Sequence, residues 1–262
     1  MRAERDTLRL LVEERRRRIL ELLDTQERAT VEELSSRFGV SAVTIRGDLD
    51  TLAESGSLVR SHGGALRRLA GDVPIAVKET LHHGQKVRIG RAAAQLIGEA
   101  ETIILDSGTT TMEVARQLKL MRLESLTVIT NALNIAMELA NLPHIRVIMI
   151  GGILRQPSYS TVGPHAEHVL RSFNADRLFL GVDGLDPDIG LMTPDVLEAQ
   201  LNALMIRVSR EVTVVADSSK FTRRSASVIG AVSEVHRIIT DDRADPQLVA
   251  ALRARNIDVV LV

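Results

Sequence analysis

The sequence predicts an α/β protein in two parts, an N-terminal winged helix-turn-helix and a larger, mainly parallel α/β domain. Three observations carry this. Between Ser41 and Gly64 a short capped helix runs straight into a glycine-punctuated hairpin, Gly56-Ser-Leu-Val-Arg-Ser-His-Gly-Gly64. Beyond residue 100, apolar strand-like runs alternate with helical stretches to the end of the chain. Between the two patterns lies the turn-rich Gly71-Asp-Val-Pro74. The expected organisation is residues 1–68, a linker over 69–80, and 81–262.

In the first part, Ile19, Leu20 and Leu23 recur at helical spacing after the run Arg15–Arg18, which reads as a solvated helix face. Thr30-Val-Glu-Glu33 is a capping box, with Thr30 as N-cap and Glu33 three places on. The helix it opens carries Val31, Leu34 and Phe38 on one face, and Gly39 ends it. Ser41 caps the next helix after a very short turn, which is the helix-turn-helix pattern. In that helix Ala42, Ile45, Leu49 and Leu52 face inward. Val43, Thr44, Arg46, Gly47 and Asp50 face outward. Thr44 can bond a phosphate or a base, and Arg46 can bond guanine through two hydrogen bonds. The first turns of a recognition helix are the ones that meet base edges. The wing spans about Leu58 to Arg68, with Gly63-Gly64 supplying the positive φ of its turn. Arg60, His62, Arg67 and Arg68 then lie beside a duplex. The DNA-facing set is Ser41, Val43, Thr44, Arg46, Gly47, Arg60, His62, Gly63 and Gly64.

Composition narrows the partners. Net charge is −1, so any nucleic-acid contact comes from a local patch. Trp is absent and Phe and Tyr together number five, too few for a single-strand stacking platform. There is no cysteine, which excludes disulfides, thiolate metal sites and cysteine nucleophiles. The start has no apolar signal region, and no apolar run is long enough for a bilayer, so a cytoplasmic protein without a membrane partner is expected.

In the second part seven runs read as strands: 102–106, 126–131, 146–150, 177–181, 211–217, 238–240 and 258–262. Their near-continuous apolar character points to a sheet buried on both faces. Ligands of such sheets bind at the carboxyl ends of the strands. There the sequence is small and polar. Asp106, Ser107, Gly108, Thr109, Thr110 and Thr111 sit at the start of a helix, where unpaired N–H groups and the helix dipole favour an anion. The same loop can equally be a plain N-cap with a turn glycine; it has neither the length nor the lysine of a Walker A loop. Asn131, Gly151-Gly152, Asp183-Gly184 and Lys220 lie at or just beyond other strand ends, and Glu198 lies nearby in the sequence. Lys220 offers a cation for a phosphate. Asp183 and Glu198 offer acceptors for hydroxyls, or are ordinary solvated charges.

Thr44-Ile-Arg-Gly-Asp-Leu49, Leu52, Gly56, Leu58, Arg60 and His62-Gly-Gly64 resemble the signature of DeoR/GlpR-type bacterial transcriptional regulators. Gly47 departs from it, since the family has a basic or amide residue there. Asp106-Ser-Gly-Thr-Thr110, Thr130-Asn131, Gly151-Gly152, Gly181-Val-Asp-Gly184, Thr193-Pro194, Glu198-Ala199 and Asp217-Ser-Ser-Lys-Phe221 resemble the sensor domain of the same regulators. The resemblance implies a fold similar to ribose-5-phosphate isomerase and a phosphorylated sugar as effector. It implies a repressor of a sugar-catabolic operon that binds double-stranded operator DNA as a homodimer or homotetramer. No catalytic residue, metal or cofactor is expected. The rival reading is a sugar-phosphate isomerase with an appended DNA-binding domain, in which Glu198 or Asp183 would be the base.

Overall fold

The computed structural model describes residues 12–26, 28–54, 57–61, 63–67 and 73–262. They divide into two compact units between Leu81 and His82. The first contains α1 (Val12–Gln26), β1 (Arg28–Thr30), α2 (Val31–Phe38), α3 (Ala42–Glu54), β2 (Leu58–Ser61), β3 (Gly64–Arg67) and α4 (Ile75–Thr80). Local chemistry sets these limits. The Thr30 hydroxyl accepts the Glu33 N–H at 3.2 Å while the Glu33 carboxylate accepts the Thr30 N–H at 2.8 Å. The Ser41 hydroxyl accepts the Thr44 N–H at 3.1 Å and so starts α3. Ile19, Leu23, Leu34, Ile45 and Leu49 are buried together as the core of this unit.

Four features differ from the expectations above. A third strand, β1, joins the wing in the order β1-β3-β2. It is only three residues long with Ala29 alone turned inward, so it carries no readable alternation. The wing turn takes its positive φ from Gly63 (+81°) and not from Gly64. Gly64 is needed for a different reason, because a Cβ there would lie 2.3 Å from the Ala29 carbonyl oxygen of β1. Arg15 is no solvated residue. It is 6% exposed, and its Nε donates to Asp48 of α3 at 2.6 Å. Within the expected 69–80 linker, α4 forms, and Val77 and Leu81 pack on the core of the first unit.

Gly47 is exposed inside α3, with nothing within 4 Å of where a Cβ would stand. Glycine there costs helix stability without any packing return. Gly47→Ala is expected to stabilise the first unit by about 1 kcal/mol. A denaturant midpoint that fails to rise at constant slope counts against this.

The second unit runs α5 (His83–Ala94), β4 (Thr102–Leu105), α6 (Thr109–Leu118), β5 (Leu126–Thr130), α7 (Leu133–Leu139), β6 (Ile145–Met149), β7 (Ile153–Arg155), β8 (Ser160–Val162), α8 (Pro164–Leu170) and β9 (Ala175–Leu180). It continues with β10 (Gly184–Asp186), β11 (Gly190–Thr193), α9 (Val196–Arg207), β12 (Ser209–Val215), β13 (Ser227–Gly230), β14 (Arg237–Thr240), α10 (Pro246–Arg253) and β15 (Asp258–Leu261). A seven-stranded sheet of order β15-β14-β12-β9-β4-β5-β6 forms the middle layer, and every pairing in it is parallel. Its strands are the seven runs read from the sequence. Alternate residues serve opposite faces. Ile104, Leu178 and Val214 enter one core, whereas Ile103, Leu105, Phe179 and Val215 enter the other. The chain builds outward from β4 to β6, then returns to place β9 on the other side of β4. That reversal opens a crevice at the carboxyl ends of β4 and β9. Two antiparallel ribbons, β7-β8 and β10-β11-β13, are additional to the sequence reading.

Candidate functional site

In the first unit, α3 presents Val43, Thr44, Arg46 and Gly47 outward, with Val43 73% exposed. Ile45, Leu49 and Leu52 anchor the opposite side. Arg46 makes no ion pair among the described residues and is open to a partner. Arg60 is more committed. Its Nε donates to Asp50 of α3 at 2.8 Å and its Nη1 to the Gly64 carbonyl at 2.7 Å. It therefore ties the wing to the recognition helix as well as lying on the wing. Gly63 is exposed at the turn. His62 and Arg68 lie outside the described residues.

In the second unit the crevice brings Asp106, Ser107 and Glu198 into direct contact. Asp106 follows β4, is 1% exposed, and accepts the Gly181 N–H beyond β9 at 3.2 Å. The Ser107 hydroxyl lies 3.4 Å from Asp106 Oδ1 and donates to Glu198 Oε1 at 3.3 Å. Burial, reinforced by the charge of Glu198, pushes the Asp106 carboxyl well above the ordinary carboxylate range. Glu198 is itself 6% exposed and fully engaged. Its Oε2 accepts the Thr193 hydroxyl at 2.5 Å and pairs with Arg155 Nη1 at 3.0 Å.

Arg155, Thr193 and Asp195 complete this cluster; Thr193 carries part of the sensor-domain resemblance, whereas Arg155 was not singled out from the sequence. Arg155 ends β7, and its Nε lies 3.4 Å from Asp195, the N-cap of α9. The only signal was an arginine closing an otherwise apolar Ile153-Leu154 pair.

The loop itself opens α6. Thr109 and Thr110 are 8% and 7% exposed, whereas Thr111 is fully buried with its hydroxyl on the Gly108 carbonyl. On the far side, Lys220 Nζ lies 3.6 Å from Asp183 Oδ1. Asp217 is 1% exposed beside them. Burial alone would raise its carboxyl, but Lys220, His82 and Lys86 outweigh that and hold it below the ordinary range. Asn131 is fully buried at the end of β5. Its amide donates to the Thr161 carbonyl, and its Oδ1 has no hydrogen-bond partner among the described residues. Gly151 and Gly152 are exposed in the turn from β6 to β7. Gly184 starts β10, where a Cβ would lie 2.2 Å from the Arg223 carbonyl oxygen, so backbone packing accounts for the glycine.

Among the described residues no cluster of histidine and carboxylate side chains could hold a metal ion, and no helix is long and apolar enough to cross a membrane.

Residues 15–68 match the DeoR-like helix-turn-helix domain, and residues 81–242 match the DeoR C terminal sensor domain. The chain is 38% identical over 232 residues to the transcriptional repressor AccR of Agrobacterium fabrum, covering 87% of this chain and 89% of that one. It is 36% identical over 253 residues to the HTH-type transcriptional regulator GlpR of Haloferax volcanii, covering 96% and 98%. It is 35% identical over 224 residues to the glycerol-3-phosphate regulon repressor of Escherichia coli K12, covering 85% and 88%. Among solved structures, ribose 5-phosphate isomerase A of Methanocaldococcus jannaschii aligns at 15% identity over 54% of this chain and 56% of that one, with a TM-score of 0.39.

Proposed function

Because the chain belongs to the DeoR family of helix-turn-helix transcriptional regulators with a C-terminal sensor domain, we propose that it represses a sugar-catabolic operon and that a phosphorylated sugar sets its operator affinity. The observation that carries the effector reading is the loop Ser107–Thr110. It opens α6 at the point where the strand order reverses, with Lys220 at a neighbouring strand end. Backbone N–H groups at a helix start suit a phosphate. The hydroxyls of Ser107, Thr109 and Thr110, with Asn131 and Asp183, suit a polyol.

The carboxylates favour sensing over isomerisation. An isomerase base must be ionised and within reach of a carbon acid. Asp106 is 1% exposed, its carboxyl is pushed well above the ordinary range by burial and Glu198, and both oxygens of Glu198 are occupied by Ser107, Thr193 and Arg155. Asp183 faces Lys220. The protein acts in the cytoplasm, where its operator lies. It works as a homodimer or homotetramer, since paired recognition helices match paired half-sites.

The operator reading is tested on α3. Arg46→Ala should weaken binding to a duplex selected from the source genome by about 1–3 kcal/mol, roughly five- to 150-fold, because an arginine on this face reads a base edge. Unchanged gel-shift affinity in a folded variant rules that out.

A further inference from the structure

We propose that Arg155 is the counter-charge that makes the sensor crevice competent for an anion, by neutralising Glu198 beside the Ser107–Thr110 loop. This rests on the reading of that loop as the phosphate site.

Glu198 lies where an anion-binding site should not have a carboxylate. Only the Ser107 hydroxyl, 3.3 Å away, separates its Oε1 from the loop. Glu198 is 6% exposed, so water screens it poorly. Left uncompensated, it would repel a phosphate at the α6 start. The β7-β8 ribbon supplies a cation for it. Arg155 reaches from the β7-β8 ribbon to Glu198 Oε2 at 3.0 Å, is held by the Ser158 hydroxyl at 2.9 Å, and is itself 10% exposed.

The charges balance around the loop. Burial and the nearby charge of Glu198 raise the Asp106 carboxyl well above the ordinary range, which works against a second full negative charge beside Glu198. Asp195 also faces Arg155, but it is one-third exposed and its other oxygen caps α9. Lys220 is paired with Asp183 and is within electrostatic reach of Asp217. The arginine thus acts on the ligand through Glu198. It is a positioning and charge-setting residue, and it touches no phosphate.

The test is calorimetric titration of the full chain with inorganic phosphate, in four forms. Arg155→Met should weaken phosphate binding at least about tenfold, since an unscreened like charge then faces the anion. Glu198→Gln should bind phosphate at least as tightly as the parent. The double variant Arg155→Met/Glu198→Gln should return to within about threefold of the parent, because removing both charges restores the balance. A merely structural pair predicts the opposite for Glu198→Gln, namely weaker binding. Full affinity in Arg155→Met overturns the proposal. So does a double variant as weak as Arg155→Met, which would mean that the guanidinium holds the ligand directly. Where Arg155→Met fails to fold, Arg155→Lys, with its charge kept, and Glu198→Gln alone decide the matter. Thr109→Asp separates the two readings. If phosphate still binds to that variant, the anion lies elsewhere, and the loop reading falls together with this one. If Thr109→Asp loses phosphate while Arg155→Met keeps it, only the counter-charge falls.

Discussion

Asp48→Ala should destabilise the first unit by about 3–5 kcal/mol and abolish specific DNA binding with it. Asp48 lies on the recognition helix, is 2% exposed, and takes Arg15 Nε at 2.6 Å and Arg16 Nε at 3.0 Å. Arg15 is buried to the same degree as the core around it. Removing the carboxylate would strand a guanidinium inside that core, and a buried charge that loses its partner costs far more than a surface pair is worth. The effect also reaches function. Arg16 donates to Thr51 of α3 at 3.2 Å, so α1 grips α3 through three hydrogen bonds. Without that grip the outward face that carries Arg46 loses its setting. Denaturant unfolding followed by circular dichroism checks the stability, and a gel shift checks the binding. A midpoint within 1 kcal/mol of the parent would mean that Arg15 finds water when Asp48 is gone. Such an outcome refutes the buried-pair account.

Thr109→Asp should abolish effector response while operator binding stays intact. A carboxylate in the first turn of α6 suits the helix dipole, so the fold is kept. The same carboxylate fills the place of the phosphate and repels it, with Glu198 one hydroxyl away. Effector and operator affinities are linked reciprocally, with a coupling of about 1–3 kcal/mol typical of such proteins. In the parent, saturating operator should therefore shift the phosphosugar dissociation constant by about five- to 150-fold. In Thr109→Asp the heat of phosphosugar binding should vanish in both titrations. An unchanged response would place the effector outside the loop.

The seven parallel strands were legible because each is buried on both faces and so reads as an apolar run, as in Thr102-Ile-Ile-Leu105. The capping box and the α3 faces were legible because their partners lie within four residues. What escaped depends on distant partners. Arg15 reads as one of four surface arginines until Asp48, 33 residues on, is folded against it. Arg60 reads as a phosphate contact until Asp50 takes its Nε. Gly63 and Gly64 look alike in sequence; only the approach of Ala29 separates their roles. At the crevice, strand-end chemistry brought Asp106, Ser107 and Glu198 to notice. The arginine that balances them comes from β7, a strand of three residues whose apolar side chains are exposed. No period can reveal such a strand.

The sheet order bears on how the protein is made. β4 and β9 are neighbours, with Ile103 opposite Arg177, although the chain between them includes two strands of the same sheet and an antiparallel ribbon. Their pairing must wait until that whole stretch has left the ribosome, and parallel sheets closed over long loops assemble slowly. The first compact unit ends at Leu81. At ordinary synthesis rates it precedes the last strand, β15, by on the order of ten seconds or more. Each nascent chain thus carries a finished DNA-reading head before its regulator exists. Messages cut short ahead of Asp258 would release heads attached to a sheet with an open β14 edge, bound for proteolysis or aggregation.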